Sequence, residues 1–233
     1  MSTGGGAQPR PTREGGPRPD LSTIAARVAA FDAAHRREVD PGGLEPVRGR
    51  DGSLRRPRRA AVAVVVLRDP QRGPGVLLTR RTSRLRDHPG QFALPGGSVD
   101  PGEDVVTAAR RELDEELGLA LGQERVVGLL DDYATRSGFV ITPVVMTVDG
   151  SVESLTPSPD EVARVYHVTL GELDVEPHYL EIPESDRPVV QLPIVGHRVH
   201  APTAAVLLQF REVALRDRAT RVDGLEQPVF AWR

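Results

Sequence analysis

The strongest strand signal lies near the middle of the chain. From Ala60 the sequence AAVAVVVL is a continuous apolar run of strand length, and VLLTRR at 76–81 follows after the turn-forming residues DPQRGPG. An unbroken apolar run bounded by turn signals is typical of a strand buried on both faces. The pattern predicts two paired strands at the centre of a sheet, and further strands at 125–130, 140–148 and 162–168.

Three other segments repeat apolar residues at helical spacing. The first covers about 23–37, where Asp20 or Ser22 is suited to cap the helix. The second covers about 104–117 and the third about 203–216. Helices alternating with strands that are joined by hairpin-length turns predict an α/β fold, with a mixed β-sheet sandwiched between helices in an α/β/α layering.

The ends of the chain differ from this central part. Residues 1–19 are rich in Gly, Pro and Arg and have few large apolar side chains, so we expect a disordered N-terminal tail. A helix and a Pro/Gly/Arg linker are predicted over 20–58, a single catalytic domain over 59–220, and a C-terminal tail over 221–233.

The composition removes several classes of function. The chain has no Cys, which excludes disulfides, thiolate metal sites and a cysteine nucleophile. A formal net charge of −3 argues against a general nucleic-acid partner. No apolar run is long enough for a membrane span and the N-terminus lacks a signal-peptide core, so a cytoplasmic protein without a membrane partner is expected.

Three carboxylates gather on one flank of the second helix. The buried stripe of this helix is predicted to be Val106, Ala109, Leu113 and Leu117. Glu112 lies three and four residues before Glu115 and Glu116, which brings carboxylates from neighbouring turns together beside that stripe on an exposed flank. Arg111, four residues before Glu115, is placed to hold it in one rotamer. Such a cluster suits Mg²⁺ or another hard cation, and the alternative is a solvated acidic face.

The residues around this helix carry a longer pattern. In order, it consists of Gly97, five residues, Glu103, seven residues, Arg111-Glu112-Leu113, one residue, Glu115-Glu116, one residue and Gly118-Leu119. This spacing resembles the Nudix box at every fixed position. The resemblance implies a Nudix fold and Mg²⁺- or Mn²⁺-dependent hydrolysis of a nucleoside diphosphate linked to another group.

The same resemblance suggests roles for single residues. It implies that Glu112, Glu115 and Glu116 bind the metal and that one of them is a candidate base. Glu103 is expected to support the cluster, and the Gly96 carbonyl is a further candidate ligand. Glu161, outside the box, resembles a glutamate that enters the site of many Nudix enzymes from a later loop as a ligand or base, and the alternative is a charge at a strand end.

The segment before the box points to a substrate. The sequence LLTRRTSRLRDHPGQFALPGG at 77–97 resembles the signature of coenzyme A (CoA) pyrophosphatases of the Nudix superfamily. It departs from that signature at Leu94, and His200-Ala201 stand where a later segment of that family has Trp-Gly. The resemblance implies hydrolysis of CoA or acyl-CoA to adenosine 3′,5′-bisphosphate and 4′-phosphopantetheine.

Arginines crowd the same segment and suit a substrate with several phosphates. Arg80, Arg81 and Arg86 are candidate phosphate ligands, with Arg81 and Arg86 preferred, and Gly90 is a candidate for close backbone approach to the substrate. For some of these arginines the alternative to phosphate binding is a position on a solvated strand face.

Two alternative functions and the oligomeric state remain open at this point. The first alternative is a Nudix hydrolase of ADP-ribose, NADH or a nucleotide, and the second is a catalytically silent Nudix domain that binds a ligand and regulates a partner. The N-terminal helix is free to pack on the domain or against a second subunit, which leaves a homodimer as one option.

Overall fold

A computed structural model describes residues 18–48, 52–83 and 90–231. Its helices are α1 (Leu21–Ala34), α2 (Val105–Leu117), α3 (Leu170–Leu173) and α4 (Thr203–Phe210), which continues as a π-helical turn over Arg211–Leu215. Its strands are β1 (Val47–Arg48), β2 (Leu54–Arg55), β3 (Arg58–Asp69), β4 (Gly73–Arg81), β5 (Phe92–Ala93), β6 (Gly96–Ser98), β7 (Val126–Leu129), β8 (Tyr133–Ala134), β9 (Phe139–Asp149), β10 (Val162–Thr169), β11 (His178–Ile182), β12 (Ser185–Ile194) and β13 (His197–His200). Within these ranges no helix is long and apolar enough to cross a membrane.

The main sheet has the spatial order β10-β4-β3-β9-β7, with short strands β5, β6 and β8 paired to β4, β3 and β9. Strands β3 and β9 run parallel, and the other pairs in this sheet are antiparallel. The apolar runs that the sequence assigned to the sheet centre are β3 and β4, as predicted. The predicted mixed sheet is confirmed.

Alternating side chains of β3 separate two hydrophobic cores. Val64 and Val66 face a core that also contains residues of α1 and α4. Ala63 and Val65 face the opposite core, which is shared with α2 through Leu113 and its neighbours. Because successive side chains of a strand point to opposite faces, one strand joins both cores and the α/β/α layering is confirmed.

Helix α1 packs on the domain itself. The Asp20 carboxylate caps it by accepting a hydrogen bond from the Thr23 N–H at 2.8 Å. Its buried residues Ile24, Val28 and Phe31 lie three or four apart and join the core on the α4 side of the sheet. The helix ends at Ala34, three residues before the predicted end.

Part of the fold lies where no strand was predicted. Strands β11, β12 and β13 form a separate antiparallel sheet, and β1 and β2 form a hairpin inside the predicted linker. In β12 the apolar signal is interrupted by Pro188 and Pro193. The buried residues Val190 and Leu192 of that strand belong to the core that contains α4, so long-range packing stabilises a strand with a weak local pattern.

The segment predicted as a C-terminal tail is packed over its described part, residues 221–231. Val222, Glu226 and Gln227 are buried. The Tyr133 hydroxyl donates a hydrogen bond to the Leu225 carbonyl at 3.0 Å, and Glu226 is paired with an arginine of the β8–β9 turn. The segment therefore forms part of the fold rather than a tail. The predicted N-terminal tail lies outside the described residues except for Arg18 and Pro19.

One buried carboxylate ties these outer segments to the sheet. Asp131 accepts hydrogen bonds from the Arg37 N–H at 2.7 Å, the Gln209 side chain at 2.8 Å and the Arg221 guanidinium at 2.8 Å. These three residues follow α1, lie in α4 and begin the C-terminal segment. Asp131 therefore links three distant parts of the chain at one point.

We expect Asp131→Ala to lower the free energy of unfolding by about 3 kcal/mol, because it removes one partner of a buried ion pair and leaves several donors unpaired. Urea denaturation measures the change. The matched control is Asp149→Ala, which breaks the exposed pair with Arg68 and is expected to cost less than about 1 kcal/mol. Equal effects of the two changes would contradict this role of Asp131.

Candidate active site

The acidic helix is held against a very short strand. Strand β6 pairs with β3, with Gly97 opposite Ala61 and Gly96 opposite Val62. A Cβ on Gly96 would collide with the Ala61 carbonyl, and a Cβ on Gly97 would collide with the Glu112 carboxylate. Glycine is therefore required at position 96 for the strand to pair with β3, and glycine at position 97 lets the Glu112 carboxylate approach the strand without a shift of its side chain.

Local signals set both ends of α2. The Asp104 carboxylate caps the first turn by accepting hydrogen bonds from the N–H groups of Val106 and Thr107, each at 2.9 Å. Gly118 ends the helix in the left-handed region with φ 64°. These ends agree with the sequence prediction and place Glu112, Glu115 and Glu116 on the last two turns.

Arg111 is the centre of an ion-pair network on this helix. Its guanidinium binds Glu103 through two hydrogen bonds of 3.0 Å, and its Nη1 also donates to Glu112 at 2.8 Å and Glu115 at 3.1 Å. A further bond reaches the Ser98 carbonyl at 3.1 Å. The contact with Glu115 is the one that the four-residue spacing predicted. The network joins the loop before the helix to the helix itself.

Glu116 differs from the other carboxylates because it is only 3% exposed. The prediction of an exposed flank is wrong for this residue. Its carboxylate accepts one long hydrogen bond, 3.4 Å from the Gly96 N–H, and within the described part of the chain it forms no ion pair. The cause is the close approach of β6, which covers this side of α2.

Burial changes the ionisation of these carboxylates. Loss of solvation raises the pKa of Glu116 to about 7, and the nearby charges of Glu161 and Glu112 add to the rise, whereas Arg81 and the Gly96 N–H oppose it. Burial also raises the pKa of Glu112, against the effect of Arg111. The hydrogen bonds from Arg111 hold the pKa of Glu103 below its usual range.

Glu161 comes to this site from a later loop. The loop is bound to the end of α2, because Ser158 donates its N–H to the Glu116 carbonyl at 2.8 Å. It is also bound to β4, because the Thr82 N–H donates to the Glu161 carbonyl at 2.9 Å. The Glu161 charge is close enough to raise the pKa of both Glu112 and Glu116. A role as metal ligand or base remains a prediction.

The arrangement of these residues fits a divalent cation. Across the described ranges, no three His, Asp or Glu side chains already converge as a metal cluster, and Glu112 and Glu115 are instead bound to Arg111. Glu116, however, is a buried carboxylate with a single weak donor, which is the kind of group that a cation stabilises. The metal ligands predicted from the sequence, including the Gly96 carbonyl, stay predictions.

A large pocket opens on the other side of β6. It has a volume of about 810 Å³, and Gly96 and Gly97 form part of its wall. The arginines of its described lining are Arg48, Arg55, Arg58, Arg80, Arg81 and Arg198. None of the described lining residues is Asp or Glu. The pocket is thus positively charged next to a negatively charged helix.

The predicted phosphate-binding residues lie in this pocket where the structure describes them. Arg80, Arg81 and Gly90 all line it. Arg80 donates to the Gly90 carbonyl at 3.2 Å and lies over the Phe92 ring. The Nε atom of Arg81 is buried without a hydrogen-bond partner among the described residues, so it is available to a bound anion. Arg86 lies outside the described residues.

Other lining residues were not singled out from the sequence. Arg48, Arg55 and Arg58 come from the predicted linker, and Phe230 comes from the predicted tail. Phe230 packs edge to face on His200 with ring centroids 5.1 Å apart, at one of the two positions where the later CoA-family segment differs. The dense arginines between 48 and 59 were the available signal for the first group.

Comparison with known proteins identifies the domain. The family model for the NUDIX domain matches residues 57–192. Proteins named "Uncharacterized Nudix hydrolase NudL" from Citrobacter koseri and Cronobacter sakazakii are 40% and 41% identical to this chain over 116 residues. In both cases the match covers 49% of this chain and 59% of the relative. The aligned part of this chain thus spans less than two thirds of these curated relatives.

Solved structures with a similar fold include a MutT protein from Methanosarcina mazei, with 24% identity and a TM-score of 0.41. That match covers 52% of this chain and 83% of the other. The Nudix hydrolase RenU from M. smegmatis has 22% identity and a TM-score of 0.46, and the match covers 73% of this chain and 94% of the other.

We expect the stability of the metal-free protein to fall as the pH rises from 4.5 to 7. Glu116 ionises near 4.5 when unfolded and near 7 when folded, so between these values the folded state binds more protons. The loss is up to about 3 kcal/mol at 1.36 kcal/mol per pKa unit. Mg²⁺ or Mn²⁺ should restore more stability at pH 7.5 than at pH 5, because metal binding needs the ionised carboxylate.

Urea denaturation with and without chelator at both pH values tests this expectation. The variant Glu116→Gln serves as the control because it keeps the side-chain shape and cannot ionise. If Glu116→Gln shows the same pH dependence as the wild type, the buried carboxylate is not its cause.

Proposed function

The chain belongs to the Nudix family, and on this premise we propose that it is a divalent-metal-dependent pyrophosphatase of CoA or acyl-CoA. Water attacks one phosphorus of the diphosphate and the P–O–P bond breaks, which gives adenosine 3′,5′-bisphosphate and 4′-phosphopantetheine (or its acyl form). A cytoplasmic location and a small-molecule partner are parts of the same proposal.

The observation that carries this proposal is the arginine-lined pocket beside the acidic helix. Its described lining contains six arginines and no carboxylate, which suits a substrate with more negative charge than a simple diphosphate. Guanidinium groups bind phosphate oxygens through paired hydrogen bonds. CoA carries a diphosphate and a third phosphate, whereas ADP-ribose and NADH carry the diphosphate alone.

Glu112, Glu115 and Glu116 would hold Mg²⁺ or Mn²⁺, with Glu103 and Arg111 positioning them and the Gly96 carbonyl as a further ligand. A bound cation supplies charge neutralisation at the phosphoryl oxygens and lowers the pKa of water. Arg111 forms ion pairs with Glu112 and Glu115 and so fixes their positions on α2.

Residues of the chain also bind the diphosphate and accept a proton. The Nε of Arg81, which has no hydrogen-bond partner among the described residues, lies near Glu116 and would donate to a phosphate oxygen. Glu161, or one of the box glutamates, would accept the proton of the attacking water. Arg80 and Gly90, which are bonded to each other, would form the pocket wall beside the substrate, and Arg86 is a further candidate from the same segment.

The alternatives differ in substrate or in chemistry. A Nudix hydrolase of ADP-ribose, NADH or a nucleotide would use the same carboxylates and fewer of the arginines. A regulator that only binds a ligand has no need of the metal-binding carboxylates, yet all four glutamates of the box are present in this chain. A catalytic function is therefore better supported than a regulatory function by ligand binding alone.

With Mg²⁺ or Mn²⁺, we expect the purified protein to hydrolyse CoA with a higher kcat/KM than ADP-ribose, NADH or nucleoside triphosphates. Chromatography of the products should show adenosine 3′,5′-bisphosphate. If CoA is left intact while ADP-ribose or NADH is consumed, the substrate proposal is wrong and the family chemistry stands.

We expect Glu116→Gln to abolish turnover and to leave the fold intact, because Gln resembles the protonated acid that the metal-free site already favours. Loss of one carboxylate ligand should also weaken Mn²⁺ binding by about tenfold or more, because changing even a residue that only orients a metal ligand lowers metal affinity by about that factor. Thermal unfolding is the control for the fold. Activity equal to that of the wild type would overturn the metal assignment.

A further inference from the structure

Two arginines lie at the end of the pocket away from the carboxylates. Arg58 is the first residue of β3, and Arg48 belongs to the β1–β2 hairpin. Arg48 lies before residues 57–192, which the family model matches, and Arg58 is the second residue within that match. Both side chains line the pocket. We call this pair the second arginine site.

The strand register gives the separation along β3 between Arg58 and the position next to Glu112. Ala61 pairs with Gly97, and the Glu112 carboxylate packs directly against Gly97. Arg58 precedes Ala61 by three residues on the same strand, which places their Cα atoms about 10 Å apart at 3.3 Å per residue. One substrate can therefore reach both ends of the pocket if it has two anionic groups separated by a sugar.

Arg58 has a fixed position and no acidic partner among the described residues. Its guanidinium lies over the Phe139 ring, 5.0 Å from the ring centre, and its backbone N–H donates to the Gly138 carbonyl at 2.9 Å. Stacking leaves the edge of the guanidinium open for hydrogen bonds. The exposed side chain thus stacks on Phe139 at the pocket wall, and no described residue accepts a hydrogen bond from its guanidinium.

The hairpin brings Arg48 to the same wall. Val47 packs onto Gly138, where a Cβ would collide with the valine side chain. Arg48 donates one hydrogen bond to the Gly52 carbonyl at 2.8 Å, and across the described ranges it has no ion pair. Two guanidinium groups without a carboxylate partner among the described residues favour a dianionic ligand over a neutral one.

We propose that the second arginine site binds a phosphomonoester on the ribose of the substrate's nucleoside, and that Arg58 determines specificity for it. The inference rests on the proposed function, because a CoA-type substrate supplies this group at the 3′ position. Arg48 and Arg58 would distinguish such a substrate from a nucleoside diphosphate without the third phosphate.

Calorimetric binding tests the site without turnover. The probes are adenosine 3′,5′-bisphosphate, adenosine 2′,5′-bisphosphate and adenosine 5′-monophosphate, with Mg²⁺ present. We expect the wild type to bind the 3′,5′-bisphosphate about tenfold or more tightly than the monophosphate. The free energy of a hydrogen bond to a charged group corresponds to an affinity ratio of about this size. Arg58→Ala should reduce that preference to near unity, and Arg58→Lys should retain part of it because the charge remains.

The matched control is Arg68→Ala, which removes an exposed arginine from the opposite end of β3 and should keep the wild-type preference. Arg48→Ala is a second variant in the site and should lower the preference as well. Thermal unfolding shows that each variant is folded. A wild type without preference for either bisphosphate, or an Arg58→Ala protein that keeps the preference, overturns the proposal.

A turnover assay separates this proposal from the proposed function. CoA and dephospho-CoA share the diphosphate and differ only in the 3′-phosphate, so Arg58→Ala should lower the ratio of their kcat/KM values about tenfold or more. If CoA is not hydrolysed but Arg58 still sets the preference for a bisphosphate, the second arginine site stands and the substrate proposal fails. Tighter binding of adenosine 2′,5′-bisphosphate than of the 3′,5′ isomer would likewise support the second arginine site and contradict CoA as the substrate.

Discussion

The close approach of β6 to α2 is the constraint on which the site depends. Gly96 and Gly97 have no side chain to separate the strand from β3 on one side or from the glutamates on the other. The strand can therefore pair with β3 and also cover Glu116. Because the opposite side of the same strand is a wall of the pocket, the acidic helix lies behind that wall, and Arg81 is close enough to Glu116 to oppose the rise in its pKa.

The electrostatics of the site follow from this packing. Arg111 donates hydrogen bonds to Glu103, Glu112 and Glu115, whereas among the described residues Glu116 accepts one only from the Gly96 N–H. The result is one buried carboxylate whose pKa is raised to about 7. A site of this kind has lower free energy with a cation bound than without, because ionised buried groups need a partner of opposite charge.

The composition of the pocket depends on segments at both ends of the chain. The β1–β2 hairpin contributes Arg48 and the C-terminal segment contributes Phe230, and both lie outside the residues that match the NUDIX family model. The hydrogen bonds of Asp131 bind segments near each of them to the sheet. The family domain thus provides the acidic helix, and the outer segments add residues to the wall of the neighbouring pocket.

The sequence by itself determined what depends on local pattern. The apolar runs predicted β3 and β4, the helical repeat over 104–117 predicted α2, and the spacing from Gly97 to Leu119 identified the family. Only the tertiary structure decided that Glu116 is buried, that β11–β13 form a sheet, and that residues of a predicted linker and tail line the pocket. The physical reason is that helices, turns and a motif with fixed spacing arise from neighbours along the chain, whereas burial and pocket walls arise from contacts between residues far apart in sequence.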